Sequence, residues 1–522
     1  MAIIKRIVLH NYKRFKDLDL GLNDDINIFI GDNESGKSSI LQAIDLTIRG
    51  SRHKVEDIGL DKLFNVEETI SFMRSDRSYA NLPRMFVELY LDEQNNLNLS
   101  GINNSKHMNC DGLKFVCSPN DELSSQINNV LSSSSQTFPF EFYKIEFSTF
   151  QGGTYTGHNK YMRDIFLDNS MIGSEYAMSE FVRDIFSANL SEQERHEARW
   201  TYRQQKENFK TEKLNQYSGR LNQYSFAIKN SSHNNLDTDI TIEEDNITLD
   251  NKGTGRQCFI KADIALRQSG DNIDTILFEE PENHLSHINM RKLIDNIRST
   301  NDKQIFIATH SDLISTRLNL QKCILLNSAS ITCKSLSAIS DDTARFFMKA
   351  PDNNMLQFVM SPKTILVEGD AEFILMDAMF QKVLGKSLDD AGVDVISVDG
   401  KCFKRYVEIA ALLNLRVAVI TDNDGNNQKN ILDNYSGYDN TTFPNVLIKA
   451  DEEDARKTFE ICIYEDNRSL CDNLFSGRRR TLSVIEYMLS NKAEAAFMIL
   501  ENDASSIVVP RYIEEATRWI DE

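Results

Sequence analysis

Four carboxylates in the second half of the chain have a spacing that could bind a divalent cation. Glu368 follows the apolar run TILV, Glu372 lies one helical turn beyond it, and Asp422 and Asp424 follow the run RVAVI. Converging carboxylates repel one another unless a cation neutralises them, and oxygen ligands of this kind suit magnesium or manganese. The spacing therefore predicts a site that activates water and, with two metal ions, supports an in-line phosphoryl displacement.

Each acidic motif also has a purely structural interpretation. VEGDAE could be a helix start whose acidic residues interact with the helix dipole, and DNDG could be an ordinary aspartate-glycine turn. Either motif alone would leave the two interpretations evenly balanced. Their position after two strands of one α/β pattern favours the metal site.

Alternating strands and helices are expected to position these carboxylates. After about residue 350 the sequence reads as strand, turn and helix in PKTILVEGDAEFILMDAMF, as strand in DVISVDGK, as helix in VEIAALLNL and as strand in RVAVI. Such alternation predicts a parallel sheet covered on both faces. Ligands of such sheets bind at the carboxyl ends of the strands, which is where the acidic residues fall.

A second group of residues, near the start of the chain, predicts a nucleotide site. GDNESGKS at 31–38 follows the apolar run INIFI and precedes the helical pattern SSILQAIDLTI, as a phosphate-binding loop requires. In such a loop backbone N–H groups surround the phosphates, Lys37 reaches the outer phosphates and the Ser38 hydroxyl binds magnesium. The predicted ATP-binding residues of this loop are Asn33, Gly36, Lys37, Ser38 and Ser39.

Three later motifs could complete this nucleotide site. TILFEEPENH ends a strand in paired carboxylates, with Glu279 placed to hold magnesium and Glu280 to polarise the attacking water. QIFIATHS ends a second strand at His310, which could contact a γ-phosphate. KGTGRQ, which contains Gly253 and Gly255, would let backbone amides approach a phosphate at a helix start, although glycine turns of this kind are common.

In this order, the motifs resemble an ABC-type ATPase head of the structural-maintenance-of-chromosomes proteins and their relatives. The resemblance implies that Gly253, Gly255 and Arg256 belong to a signature loop that caps ATP bound by a second subunit. The active form would then be at least a dimer. Glu279 departs from transporter-type heads, which usually carry aspartate there, and this puts fast hydrolysis in doubt.

VEGDAE, VDGK and TDNDG together resemble a topoisomerase-primase (TOPRIM) domain, and the whole chain resembles the overcoming-lysogenization-defect (OLD) nuclease family. The resemblance implies that Glu460 is a further metal ligand and that Lys492 lies near the scissile phosphate. It also implies a DNA endonuclease whose ATPase head dimerises and gates it. Such nucleases commonly serve bacterial anti-phage defence, with a helicase-like or retron partner.

The predicted fold class is α/β, an ABC-type ATPase domain with a helical insertion followed by a C-terminal TOPRIM domain with a parallel sheet. The predicted parts are an ATPase N-terminal lobe at 1–160, a helical insertion at 161–240, an ATPase C-terminal lobe at 241–350 and the TOPRIM domain at 351–522. The polar insertion is expected to form a compact dimerisation arm, which ends in an exposed loop, NSSHNNLDTD, at 230–239. An arm that contacts DNA is an open alternative.

The composition predicts a cytoplasmic protein of two or three domains. The chain has 522 residues, 41% of them hydrophobic, and no apolar run approaches the length that crosses a membrane, roughly 18 residues. A net charge of −20 argues against coating nucleic acid by bulk electrostatics. The basic stretches at 195–213 and 478–480 could supply a local DNA-binding surface, or they could simply be solvated faces.

Two other functions compete with the nuclease. One is an ATP-driven DNA-repair or chromosome-organising clamp whose TOPRIM domain only binds metal or nucleic acid, although the insertion is short for a long coiled coil. The other is a primase-like polymerase, which is disfavoured because no zinc-binding cysteine cluster is present. In each case the expected partners are DNA and further copies of the chain, as a homodimer or tetramer, with no membrane.

Overall fold

The computed structural model describes residues 2–133, 137–157, 160–170, 174–218, 220, 224–228, 236–267, 273–328, 333–350, 354–398, 402–438, 442–476, 482–503 and 506–522. The chain forms two compact units, Met1–His310 with Leu326–Cys333, and Ser311–Leu325 with Lys334–Glu522. We call them the first and second units and describe each by itself. The four-part division of the sequence stays a prediction.

The first unit contains an antiparallel sheet with strand order β2-β1-β4-β6-β5, and β7 also pairs with β6. Leu89 and Val87 of β4 and Phe115 of β6 are buried in its apolar side. The strands are β1 (Ile4–Tyr12), β2 (Phe15–Gly21), β4 (Met85–Leu91), β5 (Ser100–Gly101), β6 (Cys110–Pro119) and β7 (Tyr143–Thr149).

A parallel sheet in the first unit positions the predicted nucleotide motifs. Its strands β8 (Asp164–Asp168), β11 (Thr275–Glu279), β12 (Gln304–Ala308) and β3 (Ile26–Gly31) are neighbours in that order. Their apolar runs are almost wholly buried, as expected of strands that are covered on both faces. The carboxyl ends of β3, β11 and β12 therefore lie side by side.

The helices of the first unit surround these sheets and form a polar arm. They are α1 (Lys37–Arg49), α2 (Arg52–Ile58), α3 (Leu60–Leu63), α4 (Val66–Arg74), α5 (Ser124–Leu131), α6 (Glu175–Asn189), α7 (Glu192–Phe209), α8 (Asn215–Ser218), α9 (Leu236–Asp239), α10 (Thr254–Arg267) and α11 (His287–Ser299). A hairpin of β9 (Glu243–Glu244) and β10 (Ile247–Thr248) precedes α10. No described residue of α7 is buried, so this helix is solvated.

Two features of the range 161–240 differ from the sequence-based expectation. Asp164–Asp168 forms a strand and pairs with β11, because its apolar residues Ile165 and Leu167 are buried in the sheet. Leu236–Asp239, expected to lie in a loop, forms the short helix α9, which is held to α7 by an ion pair between Lys206 and Asp239. Residues 230–235 of that expected loop lie outside the described residues.

The second unit contains a parallel sheet with strand order β16-β15-β17-β18. The strands are β15 (Lys363–Val367), β16 (Val393–Ser397), β17 (Arg416–Ile420) and β18 (Val446–Lys449). Two further strands, β13 (Cys323–Leu326) and β14 (Cys333–Ser335), lie earlier in the chain and are not part of this sheet; they continue the sheet that contains β3. The parallel sheet confirms the predicted alternation of strands and helices.

The helices of the second unit pack against this sheet and against one another. They are α12 (Asp312–Arg317), α13 (Asp341–Lys349), α14 (Met355–Met360), α15 (Asp370–Leu384), α16 (Leu388–Ala391), α17 (Phe403–Leu413), α18 (Phe459–Asp466), α19 (Arg468–Phe475), α20 (Val484–Ser490), α21 (Lys492–Asp503) and α22 (Arg511–Asp521). Met376 and Phe380 of α15 and Ile513 of α22 belong to one buried core. In the described part of the chain, no helix is both long and apolar enough to cross a membrane.

Candidate nucleotide and metal sites

The phosphate-binding loop joins β3 to α1 through two glycines with positive φ, 153° at Gly31 and 98° at Gly36. A Cβ atom at Gly36 would lie 2.5 Å from the ring of Phe15, and one at Gly31 would lie 2.1 Å from the carbonyl oxygen of Leu326. Only glycine fits this path of the backbone. The loop therefore has the backbone form that the motif predicts.

Lys37 folds back into this loop. Its Nζ atom donates hydrogen bonds to the carbonyl oxygens of Gly31, at 2.8 Å, and Asp32, at 2.9 Å. Burial lowers the pKa of Lys37 to about 8, and the nearby carboxylates of Glu280 and Asp32 oppose this shift. The ammonium group thus lies where phosphate oxygens could replace the loop carbonyls as its partners.

The predicted magnesium ligands of the ATPase site are neighbours. The hydroxyl of Ser38 forms a hydrogen bond with Glu279, the last residue of β11. Burial raises the pKa of Glu279, and the negative charges of Asp168 and Glu280 add to this shift. A hydroxyl and a carboxylate in contact are the donor types that a magnesium-nucleotide complex uses in phosphate-binding loops.

Glu280 follows the strand with a left-handed backbone, φ 46°. Its N–H donates to the carbonyl of Ala308 at 2.9 Å, and its side chain accepts a hydrogen bond from the amide of Asn283. These contacts fix the carboxylate beside the end of β12. Hydrogen bonds of both the backbone and the side chain therefore hold Glu280, the predicted water-polarising residue, in place.

Glu282 is a residue of this site that the sequence reasoning missed. One of its carboxylate oxygens accepts from the Thr309 hydroxyl at 2.8 Å and from the His310 N–H at 2.7 Å, while the other is buried without a partner. Burial lowers the pKa of His310, and the charge of Lys37 lowers it further. The third carboxylate in EEPE was the only sequence signal for this contact.

The remaining predicted nucleotide residues lie apart from this hydrogen-bond network. Asn33 is exposed in the loop, and Ser39 is half-buried in the first turn of α1. Gly255 packs so closely that a Cβ there would lie 2.3 Å from the carbonyl oxygen of His284. Gly253 is exposed just before α10. Arg256 is exposed and forms an ion pair with Glu244.

In the second unit, the structure brings the ends of β15 and β17 together. Glu368 follows β15, and its carboxylate accepts from the Thr421 hydroxyl at 3.1 Å and from the Asp422 N–H at 3.3 Å. Asp422 follows β17 by two residues, and one of its oxygens accepts from the N–H of Phe459 at 2.8 Å. Strand pairing thus places two predicted carboxylates side by side.

Two of these carboxyl groups have strongly raised pKa values. Burial raises the pKa of Glu372 to about 8, and the negative charges of Asp422 and Glu460 add to the shift. Burial likewise raises the pKa of Asp422 to about 7, with further contributions from Glu368 and Glu460. Lys492 opposes both shifts. The carboxylates are therefore close enough to repel one another, as the sequence predicted.

Glu460 and Lys492 meet in this cluster. Glu460 is only 3% exposed in the first turn of α18, and the Lys492 Nζ atom lies 2.9 Å from one of its oxygens. The other oxygen of Glu460 is buried and has no hydrogen-bond partner. Burial acts to lower the pKa of Lys492, but the hydrogen bond and charge of Glu460 raise it overall.

Asp424 differs from the other predicted metal ligands. It is exposed, and its backbone is left-handed, with φ 51°. Its exposure places Asp424 at the solvent side of the turn after β17. Asp399, Gly400 and the basic residues at 478–480 lie outside the described residues.

The cluster fits a divalent cation in its donor chemistry. It consists of carboxylate oxygens, and one of them, on Glu460, is buried without a partner. Among the residues that the structure describes, no three His, Cys, Asp or Glu side chains form a complete ligand set. Binding of a cation would therefore have to draw the carboxylates closer together.

Two family models match the chain. The model described as "AAA ATPase domain" matches residues 3–314, and the model described as "Overcoming lysogenization defect protein-like, TOPRIM domain" matches residues 360–424. The first match contains the complete phosphate-binding loop, and the second contains Glu368, Glu372, Asp422 and Asp424.

Curated relatives match only a short segment. RecF, a DNA replication and repair protein, from Clostridium botulinum strain Eklund 17B is 46% identical over 41 residues, which are 8% of this chain and 11% of that protein. RecF from Ruminiclostridium cellulolyticum is 42% identical over 52 residues, 10% of this chain and 14% of that protein. The chain thus spans about a tenth of the length of these relatives.

Solved structures resemble each unit weakly. The C-terminal region of the Burkholderia pseudomallei OLD protein has 19% identity and a TM-score of 0.24, covering 31% of this chain and 97% of that chain. The SMC head domain from Thermotoga maritima has 13% identity and a TM-score of 0.28, covering 62% of this chain and 94% of that chain.

The fold and the two family matches define a class of protein, an ATPase with a phosphate-binding loop joined to a TOPRIM domain. The chain belongs to the AAA ATPase domain family and carries an OLD-like TOPRIM domain. The predicted fold class and the predicted OLD resemblance are both confirmed. An ATPase domain of this family uses ATP, and TOPRIM domains typically bind divalent metal ions.

Proposed function

We propose that this protein is an ATP-binding, metal-dependent DNA endonuclease. The observation that carries the proposal is the cluster of Glu368, Glu372, Asp422, Glu460 and Lys492 at the carboxyl ends of β15 and β17, in which Glu372 and Glu460 are buried. Such a cluster has the ligand chemistry of magnesium or manganese and one cation to meet a phosphate. The OLD-like TOPRIM match supports phosphodiester hydrolysis as the reaction.

In this proposal Glu368, Glu372, Asp422, Asp424 and Glu460 hold Mg²⁺ or Mn²⁺. The bound ion would supply Lewis-acid chemistry at the phosphodiester. Glu372 carries a proton at neutral pH, because its pKa is about 8, and it must release that proton to become a ligand.

Lys492 supplies positive charge to the phosphate. Its ammonium group is half-exposed and ion-paired with Glu460, so it can turn toward a substrate while its stem stays on α21. Charge that develops on the phosphoryl oxygens during hydrolysis would be offset by this ammonium group.

The ATPase head acts as the gate of the nuclease in this proposal. Lys37 and Ser38 bind the phosphates and magnesium of ATP, Glu279 completes the magnesium site, Glu280 polarises water and His310 contacts the γ-phosphate. Gly253, Gly255 and Arg256 would cap the nucleotide of a second copy, giving a homodimer or a tetramer. The helical arm at 161–240 would contribute to dimerisation.

The biological role that fits such an enzyme is bacterial anti-phage defence in the cytoplasm. A helicase-like protein or a retron would be the partner that controls it. The OLD-like TOPRIM match supports this role, because the matching family model is named after a protein that overcomes a lysogenization defect. Phage infection of bacteria that carry this protein, with and without the partner, would test the defence role separately from DNA cleavage by the purified protein.

A DNA-repair or chromosome-organising clamp is the second candidate. The short similarity to RecF favours it, although that similarity covers only 8% of this chain. A clamp would show DNA-stimulated ATP hydrolysis and no cutting, and Glu280→Ala would trap it on DNA. The nuclease predicts cutting, so one assay separates the two functions.

The experiment that tests the nuclease is cleavage of supercoiled and linear DNA by the full-length protein with Mg²⁺ or Mn²⁺, with and without ATP. Glu368→Ala and Asp422→Ala should each abolish cutting while leaving the circular dichroism spectrum unchanged. Glu514→Ala, which removes a half-exposed carboxylate of α22 in the same unit, is the matched control and should cut normally. If Glu368→Ala folds and still cuts, the assignment fails.

A further inference from the structure

A layer of polar contacts lies behind the carboxylate cluster and centres on Asp451. The buried side chain of Asn423 is 1% exposed and donates to the carbonyl oxygens of Asp451, at 2.8 Å, and Glu453, at 2.9 Å. Its own amide oxygen accepts from the N–H of Gly425 at 2.8 Å. Asn423 thus ties the turn that carries Asp422 to the loop at 451–453.

Arg456 connects the loop at 451–453 to helix α18. Its Nε atom lies 2.8 Å from a carboxylate oxygen of Asp451, and its two Nη atoms contact the two oxygens of Asp466 at 2.7 and 2.8 Å. A guanidinium paired in this bidentate way fixes direction as well as distance. Asp466 is the last residue of α18, so Arg456 anchors the end of that helix to the same loop.

Helix α18 connects these contacts to the cluster. Its first residue, Phe459, donates its N–H to Asp422 at 2.8 Å, and its second residue is Glu460. The turn before it is also tied down, because the N–H of Asp424 donates to the carbonyl of Lys457 at 3.2 Å. The positions of Asp422 and Glu460 are therefore set by one continuous set of hydrogen bonds.

These hydrogen bonds oppose the electrostatic repulsion between the carboxylates of the cluster. The raised pKa of Asp422 comes first from burial and then from the charges of Glu368 and Glu460, so Asp422 and Glu460 repel each other when both are ionised and would move apart if they were unrestrained. Partners that orient metal ligands from behind typically change metal affinity or activity by about 10- to 100-fold when they are removed. Asn423 and Arg456 make no contact with the unpartnered Glu460 oxygen, so they act through the ligands rather than as ligands.

We propose that Asn423 and Arg456 are positioning residues that keep Asp422 and Glu460 near each other, so that a divalent cation needs to draw them together only over a short distance. We call Asn423, Asp451, Arg456 and Asp466 the Asp451 clamp. The inference rests on the proposed metal site, and it assigns these residues a function in cation binding that is separate from DNA cutting. It predicts that substitutions of Asn423 or Arg456 weaken cation binding in a protein that still folds.

The test is a calorimetric titration of the full-length protein with Mn²⁺, without DNA, at one fixed pH. Arg456→Lys can keep a contact with one carboxylate but loses the bidentate pair, and Asn423→Ala loses both donors. Each should weaken Mn²⁺ binding by about 10-fold or more. The matched control is Arg518→Lys, since Arg518 pairs with Glu514 on the surface of α22 and should leave the affinity unchanged.

Thermal unfolding of the same variants separates positioning from simple destabilisation. The clamp predicts that Mn²⁺ raises the melting temperature of the wild type more than that of Arg456→Lys at equal concentration. If both variants melt at lower temperature but bind Mn²⁺ with wild-type affinity, the residues are only structural and the proposal is wrong.

A cleavage assay over a range of Mn²⁺ concentrations completes the test. Cutting by Arg456→Lys should need more Mn²⁺ for half-maximal rate and approach the wild-type rate at saturation. A wild type that binds Mn²⁺ but never cuts DNA would overturn the nuclease and leave the clamp standing. A wild type that binds no Mn²⁺ would overturn the clamp itself.

Discussion

Glu372→Gln in the metal-free protein provides a quantitative test of the crowded carboxylate cluster. Glu372 is 6% exposed, and its pKa is raised from 4.5 to about 8. The folded protein therefore binds a proton there between about pH 5 and pH 8 that the unfolded chain has released. Stability must fall as pH rises through this window, which is the opposite of the usual behaviour of a carboxylate.

The magnitude follows from proton linkage. A difference of one bound proton changes the free energy of unfolding by about 1.4 kcal/mol per pH unit. For a domain of about 150–250 residues this corresponds to a change in Tm of about 3–6 °C per pH unit. Glutamine has nearly the same shape and no titration, so the variant should lose this part of the pH dependence while Asp422 keeps its own.

The assay is thermal unfolding in a chelator at a fixed scan rate, from pH 5 to pH 8.5. The Tm of Glu372→Gln minus that of the wild type should rise with pH and level off above about pH 8. The control Glu514→Gln changes a half-exposed carboxylate of α22 outside the cluster, and its Tm difference should not show this rise. If the Tm difference for Glu372→Gln is also independent of pH, Glu372 is not a buried, protonated member of the cluster.

Three further predictions concern the ATPase head. Arg49→Met should destabilise the first unit by about 3–5 kcal/mol in denaturant unfolding, because Arg49 is 7% exposed and neutralises buried carboxylates. The exposed pair of Arg52 should cost less than about 1 kcal/mol when Arg52→Met breaks it. Lys37→Met should abolish binding of a fluorescent ATP analogue without unfolding the protein, and unchanged binding would contradict its assigned role. Glu282→Gln should keep ATP binding but slow hydrolysis about 10-fold or more by releasing the His310 turn, and an unchanged rate would remove Glu282 from the site.

Local motifs made much of the fold predictable. The phosphate-binding loop needs an apolar strand, glycines and a helix in sequence, so residues 26–49 could be assigned without tertiary information. Likewise, Glu368 and Asp422 follow apolar runs, and parallel sheets bring such strand ends together. The contact between the end of β15 and the end of β17 therefore followed from the pattern.

Contacts that depend on tertiary packing were not predictable from the sequence. Strand β8 is five residues long in a polar region, and only its pairing with β11 identifies it. In the Asp451 clamp, Asn423 contacts the backbone of Asp451 across 28 residues of sequence, so no spacing rule could reveal that contact. Glu282 could have been suspected from EEPE, but its contact with His310 needs the pairing of β11 with β12.

The most direct measurement of the central claim is a test for metal contact at the cleaved phosphate. DNA copied with α-thio nucleotides carries sulfur in place of one phosphate oxygen, and Mg²⁺ binds sulfur much less well than Mn²⁺ does. If a bound metal ion contacts the phosphate, the full-length protein should cut this DNA far more slowly than ordinary DNA in Mg²⁺, and Mn²⁺ should restore much of the rate. Equal cutting of both DNAs in Mg²⁺, or no cutting of ordinary DNA in either metal, would contradict a metal-dependent nuclease site built on Glu368, Glu372, Asp422 and Glu460.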